Sequence, residues 1–157
     1  MTANGKEIRK EDLDQVLRND IKLQNYVDIA FKEEFFHVAL TEKPEYNGTQ
    51  LINAKVITSY LRQLLRNDLQ YAPFFMEGME KKVTEIIEIE TSQGKLALNI
   101  GGTIDRIDSK DDTLRIVDYK TGGSPKTPEN IKQLFTPADG RPNYIFQTFL
   151  YASIMCR

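Results

Sequence analysis

Two acids and a lysine carry the chemistry this sequence offers. Asp118 and Lys120 close the stretch Leu114-Arg115-Ile116-Val117-Asp118-Tyr119-Lys120-Thr121-Gly122. Its apolar, β-branched first half predicts a strand, and its end predicts a glycine turn. Side chains alternate along a strand, so Leu114, Ile116, Asp118 and Lys120 are expected on one face. Asp118 and Lys120 would then have Cα atoms roughly 7 Å apart. A carboxylate and an ammonium facing one pocket can hold a divalent metal and steady an anionic transition state.

Register arithmetic gives Asp118 a partner. The midpoint between positions 105 and 118 falls at the Asp111-Asp112 peptide. A two- or four-residue turn there would set Asp105 directly opposite Asp118, with Cβ atoms roughly 5 Å apart. Two like charges so placed destabilise a sheet unless a cation sits between them or one is protonated. Mg²⁺ suits the gap, because it takes one or two carboxylates plus waters and phosphate oxygens. Lys120 would orient water or neutralise developing charge. The residues by themselves leave a second reading open: a surface hairpin with scattered acids and a salt-bridged lysine.

These residues need a platform. Residues 7–18 are expected to form a short helix through Ile8, Leu13, Val16 and Leu17. Asn19-Asp20 offers a cap for a second helix over 21–36. Residues 40–48, with Pro44, Asn47 and Gly48, predict a loop. A longer helix follows over 49–69, its apolar face made by Ile57, Leu61, Leu64 and Leu65 and widened by Val56 and Tyr60. Its polar side holds Lys55, Arg62 and Arg66, read as a solvated face or as a phosphate-contacting edge.

After Pro73 the pattern changes. Lys81 to Glu90 predicts a strand, Ser92-Gln93-Gly94 a turn, and Leu96, Leu98 and Ile100 a half-buried strand. Gly101-Gly102 is expected to interrupt it, as a bulge or a close backbone approach. The strand then resumes through Thr103-Ile104-Asp105-Arg106-Ile107. Residues 121–142 carry four prolines (Pro125, Pro128, Pro137 and Pro142) and predict a long loop. Residues 143–157 predict a helix buried through Ile145, Phe146, Phe149, Leu150 and Ile154. The order is helices, a three-stranded antiparallel meander and a helix packed on the sheet, an α+β fold.

The totals constrain the rest. The chain has 157 residues and a net charge of -2. That length suits one domain over 1–157, helical over 1–72 and carrying its motifs over 73–157. The charge does not advertise nucleic acid, so such a partner must be met by a local basic patch or through a metal. Cys156 is the only cysteine, which excludes an internal disulfide, a Cys-rich zinc site and a four-cysteine iron–sulfur cluster within the chain. A polar start and the lack of a long apolar run point to a cytoplasmic protein without a membrane partner. The polar start and the uncapped end suggest a piece of a longer chain.

Three motifs now combine. Gly102-Thr103-Ile104-Asp105-Arg106-Ile107-Asp108, then Ile116-Val117-Asp118-Tyr119-Lys120-Thr121-Gly122, then Gln147-Thr148-Phe149-Leu150-Tyr151-Ala152 occur in order. Over residues 95–155 the chain resembles the RecB-type nuclease branch of the PD-(D/E)XK superfamily. More narrowly, it is similar to the C-terminal nuclease domain of AddB-like helicase–exonuclease proteins.

The resemblance implies a fold with a restriction-endonuclease-like core and a metal-dependent DNA exonuclease serving end processing in recombinational repair. Asp105 matches the first metal-binding acid and Asp118 the second, joined by the backbone carbonyl of Tyr119. Lys120 matches the catalytic lysine. Gln147 and Tyr151 match a Q-x-x-x-Y motif that lines the DNA path, one helical turn apart. Mg²⁺ or Mn²⁺ is the implied cofactor, and DNA with helicase domains or a helicase–nuclease subunit the implied partners.

The family's upstream metal-ligating histidine has one counterpart, His37, but Phe35-Phe36-His37-Val38 lacks the family's glycine setting. The helix with that histidine is expected before Met1. Arg106 and Asp108 are expected to form ion pairs near the site. The alternative function is a catalytically idle nuclease-like module that holds DNA or a partner helicase. DNA and RNA substrates are not separated by these residues.

Overall fold

The structure is a computed structural model that describes residues 5–120, 122, 126–136 and 143–156. It is α+β, with helices and a four-stranded sheet. Two compact units divide it: residues 7–74, and residues 1–6 with 75–157.

The first unit is helical. Helix α1 spans Lys10–Leu17, α2 spans Asp20–Ala30 and α3 spans Gly48–Tyr71. Glu7 and Ile8, expected in the first helix, instead belong to a short strand β1, Lys6–Ile8. Asn19 caps α2 as expected, its side chain accepting from the Lys22 amide at 2.9 Å. Asn47 caps α3 in a reciprocal pair with Gln50, which satisfies amides the helix itself leaves open.

The second helix does not run regularly to residue 36. At Phe31–Phe36 it widens into a π-helical turn. Pairing from i to i+5 brings residues four and five apart to one side. Phe31, Phe35 and Phe36 can therefore cluster, and Phe31 and Phe36 meet Tyr46 at 5.6 and 5.2 Å. His37 follows in the left-handed region at φ 53, its Nδ1 3.0 Å from the Glu33 carbonyl oxygen.

The buried face of α3 differs from the expected one. Ile57, Val56 and Tyr60 are exposed, whereas Ala54, Thr58 and Asp68 are buried. Small residues at 54 and 58 let α2 approach, and Thr58 Oγ1 donates to Gln24 at 3.3 Å. On the polar side, Arg62 pairs with Asp20 at 2.8 Å. A core of Leu13, Ala72 and Phe74, with Leu65 and Leu69 against it, closes this unit.

The sheet order is β1-β2-β3-β4, one strand more than the expected meander. Strand β2 spans Phe74–Thr91, β3 Gly94–Lys110 and β4 Thr113–Val117, and the last three pair antiparallel in sequence. The start of β2 was hidden because its register shifts between Met76 and Gly78, which breaks the two-residue alternation. Strand β3 runs through Gly101-Gly102 without interruption. The glycines answer to close approach instead: a Cβ on Gly102 would lie 2.5 Å from the Tyr151 hydroxyl oxygen.

Helix α4 is a single turn, Lys132–Phe135, inside the expected long loop. The rest of that loop at 121, 123–125 and 137–142 lies outside the described residues, as do the polar start at 1–4 and Arg157. Helix α5, Asn143–Met155, packs on β3 and β4. Phe149, expected to be buried, is 64% exposed, and the residue in the core is Tyr151 at 3%. Tyr151 packs with Val83, Ile104 and Ile107, and Leu114, Ile116, Ile154 and Met155 surround them. No described helix is long and apolar enough to cross a membrane.

Candidate metal and phosphodiester site

The β3–β4 hairpin is the scaffold. Its turn is Asp111-Asp112, both with positive φ (48 and 60). That is the two-residue hairpin turn whose twist matches paired strands, and aspartate tolerates it better than most side chains. The turn sets the register: Lys110 faces Thr113, Asp108 faces Arg115 and Arg106 faces Val117. One further step along each chain are Asp105 and Asp118.

Asp118, Tyr119 and Lys120 lie just past the end of β4 rather than on it. Strand alternation therefore does not orient Lys120; polar contacts do. Its ammonium pairs with Asp118 Oδ2 at 2.5 Å. It also donates to Gln147 Oε1 at 3.4 Å. Asp105 Oδ2 accepts the Tyr119 amide hydrogen at 2.7 Å, which brings its carboxylate against the peptide that follows Asp118.

A polar chain continues from the lysine. Gln147 Nε2 donates to the Tyr151 hydroxyl at 2.8 Å, and that hydroxyl donates to the Thr103 carbonyl at 2.9 Å. Its direction follows from chemistry. An ammonium has only donors, so the glutamine must turn its oxygen to Lys120 and its NH₂ to Tyr151. The tyrosine then has its proton left for Thr103. Gln147 is partly buried at the site's edge, while Tyr151 is deep in the core.

On the same hairpin, Asp108 is 0% exposed and ion-paired twice. Arg106 Nε lies 2.8 Å from its Oδ1, and Arg115 Nη2 2.5 Å from its Oδ2. Arg106 and Asp108 thus form the ion pair expected of them. Arg115 was not singled out, although 108 and 115 share the midpoint that relates 105 to 118. Arg106 also donates through Nη1 to the Tyr119 hydroxyl at 3.2 Å.

Comparison with known families settles what this hairpin belongs to. The profile of the PD-(D/E)XK nuclease superfamily matches residues 6–157. The chain belongs to the PD-(D/E)XK nuclease superfamily. No curated protein and no solved structure matches it.

PD-(D/E)XK nucleases generally use divalent ions such as Mg²⁺, and the donor set here is compatible with one. Asp105 and Asp118 each have one carboxylate oxygen engaged by a hydrogen bond or ion pair and a second oxygen beside it. Carboxylates and a backbone carbonyl are hard oxygen donors of the kind Mg²⁺ and Mn²⁺ prefer. Among the described residues no group of three or more His, Cys, Asp or Glu side chains forms a complete metal cage. Mg²⁺ does not need one, since it keeps several waters.

Proposed function

We propose that this chain is a RecB/AddB-type nuclease domain that hydrolyses DNA phosphodiesters from an end, in recombinational repair and beside helicase domains. The observation that carries this reading is the convergence at one hairpin end: Asp105 on the Tyr119 amide, Asp118 on Lys120, and Gln147 on Lys120. Asp105, Asp118 and the Tyr119 carbonyl would hold Mg²⁺ or Mn²⁺. A bound ion of this kind lowers the pKa of its water and neutralises phosphoryl charge.

The chain's own groups do the rest. Lys120, half exposed and tethered, offers an ammonium to the water or to the phosphate oxygens. Gln147 limits where that ammonium can swing, and with Tyr151 behind it borders the DNA path. The compartment we assign is the cytoplasm.

The test is cleavage of linear and covalently closed DNA by the whole chain with and without Mg²⁺ or Mn²⁺. Loss of linear DNA alone, abolished by chelator and by Asp118→Ala, is the expected result. Cleavage that survives Asp118→Ala overturns the assignment.

A second reading, a nuclease-like module that holds DNA or a helicase without cutting, draws on His37. Its ring nitrogen is engaged at the Glu33 carbonyl, where it closes the π-helical turn. Salt-sensitive DNA binding that is indifferent to Mg²⁺ and Mn²⁺, with no cleavage, is the outcome that favours it.

A further inference from the structure

Asp118, Tyr119 and Lys120 lie past the last strand pair, Arg106 with Val117. A segment beyond a ladder has no sheet bonds to hold it, yet the proposed chemistry needs its groups placed to a fraction of an ångström. Tyr119 supplies two anchors. Its amide donates to Asp105 at 2.7 Å, and its hydroxyl accepts from Arg106 at 3.2 Å. Adjacent residues of β3 thus grip one residue at both its backbone and the far end of its side chain. Two grips restrict both the backbone and the rotamer, and so the direction of the Tyr119 carbonyl.

The Arg106 grip is itself rigid. Its guanidinium is 3% exposed and tied through Nε to Asp108, at 0%. Arg115, directly across the ladder, holds the other Asp108 oxygen through Nε at 2.9 Å as well as through Nη2. Both carboxylate oxygens are therefore engaged, and a planar guanidinium held by Nε has little freedom at Nη1. An isolated buried pair would be balanced by its desolvation cost. A second arginine turns the cluster into a fixed network, with Arg106 Nη1 aimed out of it at Tyr119.

We propose that the Arg106–Asp108–Arg115 cluster is a positioning device. Through the Tyr119 hydroxyl it sets the carbonyl and the flanking Asp118 and Lys120 for metal binding and cleavage. This rests on the nuclease reading above.

Tyr119→Phe removes the one accepting oxygen and leaves the backbone intact, at a residue that is 36% exposed and so tolerant of the change. Groups that orient metal ligands without touching the metal typically contribute about 10- to 100-fold to affinity or activity. In the whole chain, Tyr119→Phe is expected to weaken Mn²⁺ binding by calorimetry about tenfold and lower kcat similarly. KM for DNA and the thermal midpoint stay near wild type. Hydrogen exchange at the Tyr119 amide rises while the β2–β3 amides keep their protection. Arg106→Lys, which keeps charge but not the two-nitrogen reach, is expected to speed exchange at the Tyr119 amide in the same way, and also to lower the thermal midpoint because it weakens the buried pair with Asp108.

An unchanged Tyr119 amide overturns the positioning role alone. So does faster exchange with Mn²⁺ affinity and kcat unmoved, which leaves a merely structural contact. Absence of Mn²⁺ binding and cleavage in the wild-type chain overturns the nuclease reading, and the exchange measurement separates the two failures.

Discussion

Asp105 and Asp108 stand three residues apart on one strand and live in different electrostatic surroundings. Asp108 is sealed, with two guanidinia on its two oxygens. Asp105 and its neighbour Asp118 are only partly covered, and the cation nearest Asp118 is a half-exposed lysine. A buried carboxylate with all its oxygens engaged suits the holding of a geometry. A partly open one, with an oxygen to spare and a half-exposed counter-ion, suits an incoming divalent cation and phosphate. One hairpin thus places the buried Asp108–Arg115 pair and the open Asp105–Asp118 pair three steps apart in register.

The sharpest test of that contrast is Asp118→Ala. Losing a proposed ligand of a metal worth several kcal/mol should cost about 10³- to 10⁴-fold in cleavage rate. The thermal midpoint should barely move. Asp108→Ala should behave in the opposite way, because it leaves a buried guanidinium without its carboxylate. A loss of about 3–5 kcal/mol in denaturant unfolding is expected. Equal stability losses for the two variants would erase the distinction between the clusters.

Lys120→Met comes next. It removes the proposed donor for developing charge and should lower kcat about 10²- to 10³-fold, with Mn²⁺ affinity little changed. A large drop in Mn²⁺ affinity would instead make the lysine a structural partner of Asp118. The smallest effect concerns the wall behind the site. Gly102→Ala forces a Cβ onto the Tyr151 hydroxyl and should cost about 1–3 kcal/mol. Adding Tyr151→Phe should return part of that loss, a coupling measurable in a double-mutant cycle. Simple additivity would mean that the two residues do not meet as described.

Much of this was legible because it is local or arithmetical. Asn19 was expected to cap the second helix, and it does. The Asp111-Asp112 midpoint gave the hairpin register, since a two-residue turn leaves no slack. What stayed hidden depends on partners far away in sequence. The exposed Ile57 and the buried Thr58 share a helix whose rotation is decided by α2, not by apolar spacing. Phe149 and Tyr151 exchange their expected environments because Gly102 opens space for the larger, polar-tipped ring. The Met76–Gly78 shift breaks the alternation that would have revealed the start of β2.

By itself, the sequence determined the residue types, their spacing, the α+β order and the superfamily motifs. Those follow from short-range sterics and from side-chain chemistry, which need no neighbours. Only the tertiary structure decided that Lys120 leans on both Asp118 and Gln147, and that Tyr151 stands behind Gln147 in the core. It also decided that Tyr119 is held at both ends. Each of these is a contact made beyond a strand's end or across from a helix. There the ladder no longer dictates direction, and the packing of α5 and the aim of Arg106 set it.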